Sequence, residues 1–286
     1  MSAYTLWGLL PIFWHLLRKA SALEILVNRG IWSLVFCIIL LAFRKELKKT
    51  FAVIRQPRTL ALLTLSSILL TINWGVYIWS VSVNRVVEAA LGYYITPLFS
   101  VAFGVIIFRE RMRKAQWSAV ALAAIGVITL TIEYGALPWI ALALALSWGS
   151  YSVLKKVLNL AALQGLSVET AVAFLPNLFY LSFLESQGKA KFGESLGFSL
   201  LLISAGLITI IPLLLFNGAM VRLPLSMTGL LQYITPTIMF ILGTFVNHEA
   251  MPLMRIIGFS FIWVALFLLG TDLVRSNRTS SSALQN

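Results

Sequence analysis

The sequence is poor in charge. Asp, Glu, Lys and Arg together make up 11% of its 286 residues, against about 25% in an ordinary soluble domain. That is too little to cover a water-soluble globule or to keep a chain disordered. A single cysteine, Cys37, lies in an apolar stretch, so neither an internal disulfide nor a thiolate cluster can form. The two histidines, His15 and His248, stand at the ends of different apolar runs, which excludes a histidine metal centre. No Gly-x-x-x-x-Gly-Lys-Ser/Thr loop occurs, so the chain has no ATPase site of its own. The 10 acidic residues are scattered, whereas an intramembrane transferase needs grouped acids or histidines. The expectation is a non-enzyme with no metal and no cofactor.

What the chain has instead is apolar length. Hydrophobic residues make up 59% and the mean hydropathy is +0.91. A helix needs about 20 apolar residues to cross the hydrocarbon core. Runs of that kind fall at 3–18, 23–43, 59–80, 87–108, 115–132, 137–154, 166–184, 197–220, 226–246 and 254–274. They are continuous rather than alternating, which excludes a β-barrel. The expected fold is an all-α integral membrane protein of about ten transmembrane helices. The first run is short and lacks a basic leader or small-residue cleavage site, so it reads as a truncated helix rather than a signal peptide.

The net charge of +12 does not point to nucleic acid in a chain like this. With the N-terminus inside, 15 basic residues fall in inner loops and 6 in outer ones, which predicts both termini in the cytoplasm of a multi-pass inner-membrane protein. Lys155-Lys156 then marks an inner helix end, and the expected surroundings are the lipid bilayer. A monomer and a homodimer fit the sequence equally.

The two halves resemble each other. Tyr94-Ile95-Thr96-Pro97 recurs as Tyr233-Ile234-Thr235-Pro236, and Gly104 and Glu110 recur as Gly243 and Glu249 at the same offset. Trp7-Gly8 recurs as Trp148-Gly149. Five helices per half is an odd number, so the second half enters the membrane upside down. The expected units are residues 1–134, residues 135–275 and a disordered cytoplasmic tail, 276–286. Inverted repeats build secondary transporters with a site near the midplane, although a channel could be made the same way and a non-transporting membrane subunit stays open.

Several motifs resemble one family. Trp7-Gly8, Asn28-Arg29 with Ile31-Trp32-Ser33, Asn73-Trp74, Glu88-Ala89 with Leu91-Gly92-Tyr93, Gln232-Tyr233 with Pro236, and Phe261-Ile262-Trp263-Val264-Ala265-Leu266 are similar, in order and spacing, to the RarD branch of the EamA drug/metabolite transporters. The resemblance implies ten helices, two five-helix repeats and export-type permeation of a small metabolite or drug.

Candidate site residues follow from polarity at membrane depth. Arg29 lies inside a span, where an ionised group costs about 2.5–3.5 kcal/mol by insertion scales and so faces a cavity or a partner. It could pair with Glu88 near the outer mouth; alternatively it snorkels while Glu88 caps its helix beside Arg85. Glu169, the repeat counterpart of Asn28, could be a second gate, a proton carrier or an interfacial carboxylate. Trp7, Trp32, Asn73, Trp74, Tyr77, Tyr94, Trp148, Tyr151, Asn217, Gln232 and Tyr233 could line a pocket for a small-molecule substrate that is partly apolar or aromatic; interfacial anchoring and interhelical bonding are the competing uses. Pro97 and Pro236 should kink matched helices. Glu110 and Glu249 should cap the helices that follow them.

Overall fold

The computed structural model describes residues 1–83, 85–134, 139–245 and 253–283. They form α1 (Ser2–Leu16), α2 (Ala22–Phe43), α3 (Leu47–Ile54), α4 (Pro57–Ser82), α5 (Val86–Phe108), α6 (Lys114–Tyr134), α7 (Trp139–Leu158), α8 (Ala162–Ser186), α9 (Leu196–Met220), α10 (Leu225–Leu231), α11 (Ile234–Phe245) and α12 (Leu253–Ala283). No strand occurs among the described residues. Among the described residues, seven stretches are long and apolar enough to cross a membrane: within α2, α4, α5, α6, α8 and α9, and Leu225–Leu242, which joins α10 to α11.

Local chemistry sets the ends. Ser21 Oγ accepts from the Glu24 amide at 3.1 Å and opens α2, as side-chain caps do for the orphan donors of a first turn. Pro57 opens α4, where its missing N–H costs nothing. Arg109 turns left-handed at φ 52° and closes α5, with the Glu110 amide reaching back to the Gly104 carbonyl at 3.1 Å.

Three features depart from the sequence reading. The basic loop at 44–58 contains α3, whose Thr50 and Val53 are buried; a two-turn helix there keeps Lys48 and Lys49 outside while turning one apolar face inward. The span expected at 226–246 is two helices. Pro236 has no N–H to offer the carbonyl four residues back, that of Gln232, which instead accepts from the Thr235 amide at 3.1 Å. The chain turns at Gln232–Tyr233 and restarts as α11. Pro97, its counterpart, sits inside a continuous α5, so the two prolines do not act alike. Finally, α12 runs on to Ala283, into the tail expected to be disordered; no proline or glycine follows Gly270 to stop it.

The helices pack as α6 on α12, α5 on α7 and α10, α2 on α8 and α9, α4 on α7 and α8, and α1 on α9 and α11. Tyr151, Tyr233 and Phe259 are fully enclosed, while Ile106, Ile132, Phe179 and Phe267 are more than two-thirds exposed. Large apolar side chains facing outward over several helices suit lipid rather than water. Some contacts exclude a side chain. A Cβ on Gly206 would lie 2.6 Å from Trp32 Cβ and 2.7 Å from its carbonyl carbon, which is how α9 and α2 approach closely enough for Ser33 Oγ to donate to the Gly206 carbonyl at 3.2 Å.

Candidate functional site

A cavity of about 150 Å³ opens among α1, α2, α4, α5, α7, α9 and the α10–α11 turn. Trp7 and Trp14 come from α1, Asn73, Trp74 and Tyr77 from α4, Tyr93 and Thr96 from α5, Trp148 from α7, and Gln232 and Pro236 from the turn and α11. Trp7 and Trp148 meet edge to face with ring centroids 5.3 Å apart, and Tyr77 and Tyr93 do the same at 6.0 Å. Asn73 Nδ2 donates to the Leu144 carbonyl and to Ser147 Oγ, both at 2.9 Å, which fixes the amide against α7. The wall is thus aromatic with a few oriented amides and hydroxyls, the composition that holds a small, partly apolar solute.

Arg29 is the one charged side chain on this wall among the described residues. Its guanidinium lies 4.4 Å from the ring centroid of Trp74 and 4.7 Å from that of Trp14. Its Nε donates to Thr209 Oγ1 at 2.9 Å, and Thr209 in turn donates to the Ala205 carbonyl at 2.7 Å. Cation–π contacts partly replace the hydration lost at this depth. The side chain of Glu88, the partner expected for Arg29, lies outside the described residues, as does Glu249.

The remaining candidates lie elsewhere. Trp32 turns toward α9 and Phe192, 6.1 Å between centroids. Tyr94 packs against Phe259 at 5.2 Å, and its carbonyl accepts from the Tyr233 hydroxyl at 3.0 Å. Tyr151, Asn217 and Glu169 belong to a buried polar network at the end of the bundle where α1 begins. Glu169, 2% exposed, pairs with Lys155 Nζ at 2.8 Å and accepts from Ser66 Oγ at 2.6 Å. The Tyr151 hydroxyl lies 3.4 Å from Glu169 Oε2 and 3.3 Å from Asn217 Oδ1. Glu169 is therefore enclosed by protein and paired rather than exposed. Side chains of α4 and α7 meet on this carboxylate of α8, and α9 joins the network through Asn217 and Tyr151.

A second ion pair sits beside the first. Lys156 Nζ lies 3.0 Å from Glu110 Oε1 and donates to the Leu223 carbonyl at 2.8 Å. Glu110 does not cap α6, the helix that follows it. Its carboxylate accepts from the Leu225 amide at 2.7 Å, the Ser226 amide at 2.8 Å and Ser226 Oγ at 2.7 Å, at the start of α10. Burial alone would push this carboxyl up, but those donors and Lys156 together hold it below the usual carboxylate range. Arg113 and Asp272 add a third pair at 2.7 Å.

Comparison with known proteins decides the family. Residues 1–132 match the EamA-like transporter family. The chain is 47% identical to protein RarD of Streptomyces exfoliatus over 99% of its length and 90% of the relative. It is 42% identical to the uncharacterized transporter YojE of Bacillus subtilis (98% and 95% covered) and 36% identical to protein RarD of Escherichia coli K12 (98% and 95%). A crystal structure of a protein 19% identical superposes with a TM-score of 0.72 over 94% of both chains, a likeness of fold alone. The chain belongs to the RarD branch of the EamA family. It is a multi-pass membrane protein of the transporter type.

In this RarD-branch chain, several residues of the site are not distinguishable by sequence. Lys155 and Lys156 read together as one helix end, yet each holds a different carboxylate. Trp14 and Thr209, which clamp Arg29, look like an interfacial aromatic and a small polar spacer. One signal was available for Lys155: it lies one helical turn after Tyr151 on the same face of α7.

Proposed function

We propose that this chain is a permease that moves a small, partly apolar or aromatic solute across the cytoplasmic membrane by alternating access, in the export direction, with both termini in the cytoplasm. In this reading residues 1–134 and 135–275 are inverted five-helix repeats, and α10 with α11 counts as one span among ten. The observation that carries it is the pair of contacts between repeat counterparts: Trp7 with Trp148, and Tyr94 with Tyr233. A twofold axis exchanges counterparts, so they can touch only beside it. The helix pairing supports the same symmetry, since α4 on α7 matches α9 on α1, and α5 on α7 matches α11 on α1. The cavity lies at that axis, where transporters of this construction bind.

The ion pairs then act as the closed gate at the cytoplasmic end, with Lys155–Glu169 and Lys156–Glu110 breaking when the bundle opens inward. Arg29 and Glu88 belong to the opposite approach. The test is counterflow in proteoliposomes: saturable exchange of a labelled solute fits a carrier, whereas ohmic single-channel currents would replace the reading with a channel. Topology is read separately. Cys37 is the only cysteine and is buried, so a cysteine placed after Arg275 should react only from the cytoplasmic side.

A further inference from the structure

We infer that the cavity selects a small monoanion, a carboxylate carried on a single aromatic ring or an apolar body of similar size, and that Arg29 is its receptor. The inference rests on the permease reading and names its substrate class. A guanidinium carries five N–H groups in a rigid planar fork. In Arg29 the Nε donor is spent on Thr209, and the guanidinium lies over the rings of Trp14 and Trp74. The Nη groups have neither hydrogen bond nor ion pair among the described residues. What remains is the end-on fork of two parallel Nη donors, the geometry that takes a carboxylate in bidentate fashion.

Charge supports the same conclusion. None of the described residues on the cavity wall is an acid, a histidine or a lysine. A cation at this depth without a counter-ion among the described residues is costly, and a bound anion supplies that counter-ion. A cationic solute would instead meet like charge. Neutral solutes would leave the fork unsatisfied, at the expense of whatever hydration it keeps in the empty cavity. Size sets the body of the solute. About 150 Å³ is close to the volume that accommodates one benzene ring, and the indoles of Trp7 and Trp148 offer faces and edges to such a ring. Asn73 keeps its Oδ1 for an N–H on the solute, since its amide donors already serve Leu144 and Ser147.

The test uses the full-length protein in detergent with benzoate, benzamide and benzylamine, titrated by calorimetry at neutral pH. Benzoate should bind about ten- to a hundredfold tighter than benzamide, the difference expected of a charge-assisted bidentate contact, and benzylamine should bind weakest. The benzoate preference should collapse toward unity in Arg29→Gln. Should that variant aggregate on size exclusion, Arg29→Lys, which keeps the charge but not the fork, should lose about five- to tenfold of the preference. Equal affinity for benzoate and benzamide, no binding of benzoate at all, or a preference unmoved by either substitution overturns the inference. Counterflow separates it from the permease reading. Benzoate that binds but never exchanges leaves the receptor and removes the transport. Exchange of neutral solutes with no preference for carboxylates leaves the transport and removes the receptor.

Discussion

The hydroxyl of Tyr233 donates at 3.0 Å to the carbonyl oxygen of Tyr94, the residue 139 positions earlier that occupies the same place in the Tyr-Ile-Thr-Pro repeat. The bond ties the broken turn between α10 and α11 to α5. Tyr233 is fully buried, so its removal is not compensated by water. Tyr233→Phe should cost about 1 kcal/mol, read as a fall of about 2 °C in the thermal unfolding midpoint followed by tryptophan fluorescence. An unchanged midpoint would mean that the bond contributes nothing to the fold.

The Lys155–Glu169 pair gives a sharper contrast. Removing one partner strands a buried charge, which typically costs about 3–5 kcal/mol, whereas replacing both by apolar groups is often close to neutral. Lys155→Met and Glu169→Leu should each destabilise the protein strongly, and the double variant should recover most of the loss. Additive losses in the double variant, measured by the same unfolding assay, would contradict a coupled pair.

Glu110 makes stability depend on pH in a stated direction. Its carboxyl is held below its ordinary value, so its contribution is present above the unfolded-state pKa and disappears as pH falls through the lower folded value. Glu110→Gln removes a helix cap and an ion pair and should cost about 1 kcal/mol at neutral pH. The difference between wild type and variant should shrink on acidification below the usual carboxylate range. A gap that stays constant down to strongly acidic pH would rule out the carboxylate as its source.

Pro236 breaks the ninth apolar run and Pro97 does not break the fourth. Pro236→Ala restores the missing donor and should let α10 and α11 fuse, slowing exchange. Pro97→Ala should change exchange less. Initial counterflow rates decide between them, and equal effects would remove the asymmetry between the two prolines.

Much of this architecture is legible from hydropathy, because continuous apolar runs have one solution in lipid. The repeat is legible too, since it writes the same residues twice. The split at Gln232 follows from Pro236 only once Thr235 is seen to take the orphaned carbonyl, since Pro97 in the same motif leaves α5 whole. Arg29 announces itself by charge at depth, but its clamp of Trp14, Trp74 and Thr209 comes from three other helices, and no local pattern encodes that meeting. Glu110 shows the same limit. As a loop acid it reads as a cap for its own next helix, and only packing brings it to α10, 115 residues away from Leu225.

Lys155 and Lys156 are consecutive on α7, so their side chains leave the helix about 100° apart, one toward Glu169 and the other toward Glu110. A rigid displacement of α7 strains both attachments together. If the two pairs form the proposed gate, a shift of α7 releases both carboxylates in concert rather than in sequence, a coupling set by the geometry of a single peptide unit.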